Sequence, residues 1–275
     1  IHGSATCVMN FDGATGWMVG AENEGLAAMF IMMNAARLSC GNQGLAQAEL
    51  AYQNAAAYAL DRRQGRAPGS KAPADPLIVH PDVRRMLMDA RAFTEGFRAL
   101  VLWTPAQIGR CRAAETEAER TAAEALVSFL TPILKGFGTD KGFETAVAMQ
   151  QVFGGHGYVA EWGMEQIVRD ARVPMIYEGA NGVQALDLAG RKLLRDNGQV
   201  AERFLALVEG DCETAPDELH DVAAPLREAM HEAREAGLWL LSAGKRSFDD
   251  LGGGSYAYMH LVGLVAVGWM WLRLA

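Results

Sequence analysis

Cysteine is scarce in this sequence. Four residues in 275, at positions 7, 40, 111 and 212, lie far apart. Neither a CxxC pair nor a Cys/His ligand spacing occurs, which excludes a zinc module or a disulfide framework as the organising device. Reduced core thiols are the ordinary reading. Charge of positive sign is also short: 25 Lys and Arg against 33 Asp and Glu give a net charge of −8. A broad nucleic-acid surface needs the opposite excess, so no nucleic-acid partner is expected. The longest apolar run, Leu261 to Leu272, falls short of the roughly 20 residues of a bilayer span. No secretory signal is read at the start, and a cytoplasmic protein without a membrane span is the expectation. GxSxG, Walker A and EF-hand sequences are missing, and no metal site is expected.

What is present is apolar and helix-forming. Half the residues are hydrophobic, and the Ala, Leu, Met, Glu and Arg content favours helices around a sizeable core. Residues 1–20 read as a β-hairpin, with Thr6-Cys7-Val8-Met9 and Trp17-Met18-Val19 flanking a Gly-rich turn. A first helix runs to about Arg63 and stops at the Gly/Pro-rich "QGRAPGSKAPADP". Helices are then predicted from Pro81 to about Thr104, over 106–136, over 139–153, near 163–169 and over 181–195. The region 199–275 reads as a further helical block, with "FDDLGGGS" at 248–255 as its clearest loop. Both ends read as interior to a longer chain.

Three local signals carry possible chemistry. On the first helix Gly41, Gly44 and Ala48 share a face with Arg37, a stripe small enough for close approach of a backbone or ligand. Arg37 and Arg62 are almost seven turns apart on that face, about 37 Å at 1.5 Å per residue. Two surface arginines is the ordinary reading. In "QQVFGGHGY", Gln151 precedes Gly154, Gly155 and Gly157. Such glycines can expose N–H groups to a phosphate, or simply stop a helix. In "PMIYEGANG", Glu178 follows an apolar run, where Pro174, Met175, Ile176 and Tyr177 could desolvate it into a base. It could equally cap the next helix. The pattern leaves both open. His156 lies in the glycine loop, and His231 lies on a helix where a solvated face is expected because the second histidine of HExxH is missing.

Taken in order, "ARLSCGNQGLAQAELAYQNAAAYALDRRQGR", "QQVFGGHGYVAEWGMEQIVRDAR" and "PMIYEGANGVQA" resemble the C-terminal half of flavin-dependent acyl-CoA dehydrogenases. The likeness runs to about residue 195. Residues 199–275 resemble the extension of larger members, among them those acting on 3-methylmercaptopropionyl-CoA in dimethylsulfoniopropionate breakdown. The resemblance implies a mainly α fold: the end of a middle β-domain at 1–22, a helical FAD- and acyl-CoA-binding domain at 23–197, and a helical extension at 198–275. It implies FAD as cofactor and an acyl-CoA as substrate. It further implies electron-transferring flavoprotein as partner and a homodimer or tetramer.

It also implies a role for each matching residue. Glu178 would take the α-proton of the thioester while the β-hydride leaves for flavin N5. Arg37, Asn34, Tyr177 and Gly179 would meet substrate. Arg62, Gln151, Gly154 and Gly155 would hold FAD of a neighbouring subunit, and Ala180 and Gly182 the subunit's own. Some members carry the base on the first helix instead, where this chain has Ala35-Ala36. The sequence departs from the family at Gly65, where phenylalanine is common, and at Ala180, where threonine is. An acidic residue often stands where Asn34-Ala35 lie. The alternatives are an oxidase passing electrons to oxygen, a DNA-associated relative and a purely structural helical module.

Overall fold

The computed structural model describes residues 7–275. Eight main helices follow one another: α1 Gly25–Asp61, α2 Pro81–Ala113, α3 Glu117–Phe153, α4 Met164–Arg172, α5 Asn181–Leu186, α6 Gln199–Glu213, α7 His220–Ala243 and α8 Phe248–Leu274. A wide π-helical stretch, Asp187–Leu193, prolongs α5. No strand occurs among the described residues. The predicted hairpin is therefore corrected over residues 7–20, its first residues lying outside the described ones. Val8, Trp17 and Val19 are almost fully exposed there, and two strands with no third to pair against are marginal in water.

The helices α1 and α3 form the central pair. A Cβ on Gly41 would stand 2.7 Å from the Leu134 carbonyl oxygen, and one on Gly44 would stand 2.6 Å from that of Gly138. Backbone meets backbone at this crossing, so the small-residue stripe serves helix packing. α2 lies beside the pair and contributes Phe97 and Leu100 to the core.

Two expected helix breaks do not exist. α2 continues through Pro105 to Ala113. α3 is a single helix of 37 residues across Gly136 and Gly138. Its start carries a full capping box between Thr116 and Glu119, which fixes where it begins. Gly136 and Gly138 face the Met259 thioether and the Phe97 ring, where a Cβ would collide. Tertiary packing overrides their poor helix propensity.

"FDDLGGGS" is likewise helix and not loop. Ser247 caps α8 by accepting from the Asp250 N–H at 3.1 Å, and Asp249 and Asp250 suit its positive end. α8 thus reaches 27 residues, long and apolar enough to cross a membrane by length and composition. Met259, Val262, Val265, Ala266 and Trp269 bury one side of it against α2, α3, α6 and α7. A core helix of a large bundle has this composition. Of the cysteines, 40, 111 and 212 are buried as expected and Cys7 is exposed.

Candidate functional site

The loop between α4 and α5 holds Glu178 at φ +57° and Gly179 at φ +86°. A left-handed glutamate costs about 1–2 kcal/mol and persists only where its surroundings impose it. Three side-chain contacts do so. Arg37 donates from Nε to the Glu178 carbonyl at 3.3 Å, and Gln184 Nε2 reaches the carbonyls of Glu178 and Gly179, each at 3.3 Å. A Cβ on Gly179 would fall 2.5 Å from that Gln184 amide, so glycine is needed here for space as well as for φ.

Glu178 caps nothing. The cap position of α5 is Ala180, with no side-chain cap bond. The Glu178 Oε2 atom is buried and has no hydrogen-bond partner. That is costly for a carboxylate, and it leaves the oxygen free to accept a proton or a donor. Of the four apolar residues before it, Pro174 is buried and Met175 half-buried. Ile176 and Tyr177 point outward, at 55% and 38% exposure. Cys40 of α1 and Lys135 of α3 lie near enough for the Glu178 charge to act on both through space. Burial pushes the Cys40 thiol up, with Lys135 opposing and Glu178 adding to the rise.

Arg37 is nearly enclosed and ties the loop to the π-helical turn. Its Nη1 lies 3.9 Å from Asp187 Oδ2, while Arg191 Nε donates to the other Asp187 oxygen at 2.7 Å. A cavity of about 300 Å3 opens beside it, walled by Asn34, Arg37, Ser128, Thr131, Asp187 and Lys192. Tyr177 hydroxyl donates to Gln43 across the mouth of the loop. Arg37, Asn34, Tyr177, Glu178 and Gly179 are thus brought to one end of the α1/α3 pair. Ala180 and Gly182 sit exposed at the same end.

Arg62, Gln151, Gly154 and Gly155 gather at the other end. Arg62 follows the last turn of α1 and is exposed; its N–H donates to the Tyr58 carbonyl. The Tyr58 ring stacks on Phe153, and its hydroxyl is 2.8 Å from His156 Nδ1. His156 in turn stacks on Trp162 with ring centroids 4.8 Å apart, so it serves the packing of the glycine loop. Gly154 ends α3 at φ +58° as its C-cap, and a Cβ on Gly154 or Gly155 would meet nothing within 4 Å. Gly157, by contrast, is shut against the Gln150 carbonyl. Gln151 lies on the wall of a groove of about 920 Å3 between α2, α3 and α8. The geometry fits a phosphate-bearing cofactor: an exposed guanidinium, a free amide and backbone clear of obstruction. His231 is on an exposed face of α7, as expected.

Sequence reading missed Lys135, Asn181, Gln184 and Asp187, all buried at the first end. A lysine inside "FLTPILKGFG" was a usable signal, because lysine is almost never fully buried without a reason. The others gave none.

Comparison with known proteins assigns the class. The model of the acyl-CoA dehydrogenase C-terminal domain matches residues 23–193, and that of an acetyl-CoA dehydrogenase C-terminal-like region matches 204–275. The chain belongs to the acyl-CoA dehydrogenase family. It is 44% identical to 3-methylmercaptopropionyl-CoA dehydrogenase of Ruegeria pomeroyi over 98% of this chain and 46% of that protein. It is 32% identical to the broad-specificity linear acyl-CoA dehydrogenase FadE5 of Mycobacterium tuberculosis, over 99% of this chain and 47% of that protein. The chain therefore spans about half the length of these relatives. Its fold matches Caenorhabditis elegans ACDH-11 in complex with C11-CoA, at a TM-score of 0.76 and 18% identity over 92% of this chain and 41% of that one. It also matches a Bacillus anthracis acyl-CoA dehydrogenase complexed with FAD, at 0.66 and 20% over 89% and 42%.

Proposed function

We propose that the intact protein is an FAD-dependent acyl-CoA dehydrogenase that forms a trans-2-enoyl-CoA, with Glu178 as the base that removes the α-proton. The observation that carries this is the orphaned, buried Glu178 Oε2, held on a left-handed backbone by Arg37 and Gln184. A base needs an acceptor oxygen free to take a proton, and this one has no competing donor. Arg37 and the Glu178 loop would orient the thioester, with the Glu178 N–H polarising its carbonyl. Asn34, Tyr177 and Gly179 would line the substrate. FAD, when bound, supplies the acceptor for the β-hydride; Arg62, Gln151, Gly154 and Gly155 would hold one flavin, and Ala180 and Gly182 the other.

The division into domains at 22 and 197, the homo-oligomer, the cytoplasmic site and transfer to electron-transferring flavoprotein belong to the same proposal. The exposed apolar side chains of Val8, Trp17 and Val19 support a β-domain packed on residues 7–22. The relative at 44% identity favours 3-methylmercaptopropionyl-CoA as substrate and a place in dimethylsulfoniopropionate catabolism. The Glu178→Gln variant of the intact flavin-loaded protein should lose about 10²–10⁴-fold in turnover with flavin retained. Near-normal turnover would sink the assignment. Peroxide release without an added acceptor would point to an oxidase.

A further inference from the structure

Lys135 is fully buried in the middle of α3, and its surroundings form a polar chain through the molecule. Its Nζ donates to Asn181 Oδ1 at 2.7 Å. Lysine can only donate, so this contact fixes the orientation of the Asn181 amide. The amide nitrogen then faces the Gly136 carbonyl at 3.1 Å, Thr139 Oγ1 at 2.9 Å and Asp140 Oδ1 at 2.7 Å. Asp140 is itself buried. Its second oxygen accepts from the Tyr256 hydroxyl at 2.6 Å and lies 2.9 Å from His260 Nε2, both on α8. Asn181 is three residues beyond Glu178 and begins α5. The charged and titratable groups acting on Lys135 are Cys40 and Arg37 from α1, Asp140 from α3 and Glu178 from the loop. Tyr256 and His260 face it only through Asp140.

We propose that Lys135 is a positioning residue for the Glu178 loop, gripping it through Asn181, and that the extension's helix α8 completes this grip by locking Asp140 with Tyr256 and His260. The inference rests on the reading of Glu178 as the base. A charged ammonium makes the stronger bond to the Asn181 oxygen, so the grip weakens when Lys135 loses its proton. Burial lowers the Lys135 pKa to about 8, with Asp140 and Cys40 opposing, which places that loss within reach of a pH profile. The ammonium costs stability below about pH 8. As pH rises from there toward the ordinary lysine value the unfolded chain holds more protons than the folded one, so stability rises relative to a variant without the lysine.

The test is the pH profile of kcat in the intact flavin-loaded protein, with thermal melts across the same range. Wild type should show an alkaline limb near pH 8. Lys135→Met should be slower by about tenfold at pH 7, flat through that range, and should melt no lower than wild type at pH 7. Asp140→Asn removes a charge that favours the ammonium and should move the limb to lower pH; Tyr256→Phe takes a donor from Asp140, leaves more of its charge acting on Lys135 and should move the limb slightly to higher pH. A limb that stays in Lys135→Met, or no limb in wild type, overturns the proposal. If Lys135→Met does not fold, an unmoved limb in both Asp140→Asn and Tyr256→Phe overturns it. Glu178→Gln run in parallel separates the two readings. Its near-normal turnover would remove the base assignment, whereas an inactive Glu178→Gln beside an unmoved limb would remove only the role of Lys135. The melts report the Lys135 titration independently of turnover.

Discussion

The two ends of the α1/α3 pair are built on opposite terms. At the Arg37 end the charged groups are enclosed: Arg37, Lys135, Asp187 and the Glu178 carboxylate lie among packed helices. At the Arg62 end the guanidinium, Gln151 and the open glycines face outward. Both are polar, and both sit on the same two helices. The lesson is that burial, more than residue type, separates a place that keeps a carboxylate oxygen clear of donors from a place whose donors face outward. The open end has the donors of a binding surface but nothing among the described residues that covers them.

Substitutions can break this contrast. The largest effect is expected where the helices cross beneath the enclosed end. Gly44→Leu must push its Cβ against the Gly138 carbonyl and should cost about 3 kcal/mol in urea unfolding. Gly155→Leu, at an unobstructed position with ordinary φ, should cost under about 0.5 kcal/mol while weakening flavin retention. Equal losses at the two sites would dissolve the distinction. The arginines give the next step down. Arg37→Ala strips a donor from the Glu178 loop and a cation from buried Asp187, for about 2 kcal/mol. Arg62→Ala should leave the melting temperature within a degree or two and show itself in flavin loss. Glu178→Gly should act in the opposite direction. Relief of the left-handed strain should raise stability by about 1 kcal/mol while turnover falls to the Glu178→Gln level, and a stability loss would show that the loop's conformation carries no strain.

Much of this contrast was legible in the residues, though not as a contrast. The Gly41/Gly44/Ala48 stripe announced a close approach, and the structure shows that the neighbour is the α3 backbone. The order of motifs from Arg37 to Glu178 resembled one family, and the comparisons show that family. Proline and glycine misled where they usually inform. Pro105, Gly136, Gly138 and Gly252–Gly254 all lie inside helices; Met259, Phe97 and Trp239 fill the space left by the missing Cβ atoms at Gly136, Gly138 and Gly254. The predicted hairpin failed over residues 7–20 because alternation alone provides no strand to pair with.

By itself the sequence determined the class: the helical composition, the excess of acid, the spacing of Arg37, Arg62, the glycine loop and Glu178. These are local or periodic properties, and a chain carries them before it folds. Only the tertiary structure decided that Glu178 is no cap, that Lys135 bonds Asn181 three residues beyond it, and that α8 is tied to the same asparagine through Asp140. Each of those depends on which groups lose water together. Burial joins residues 40, 135, 140 and 181, and no pattern along one stretch of sequence encodes that meeting.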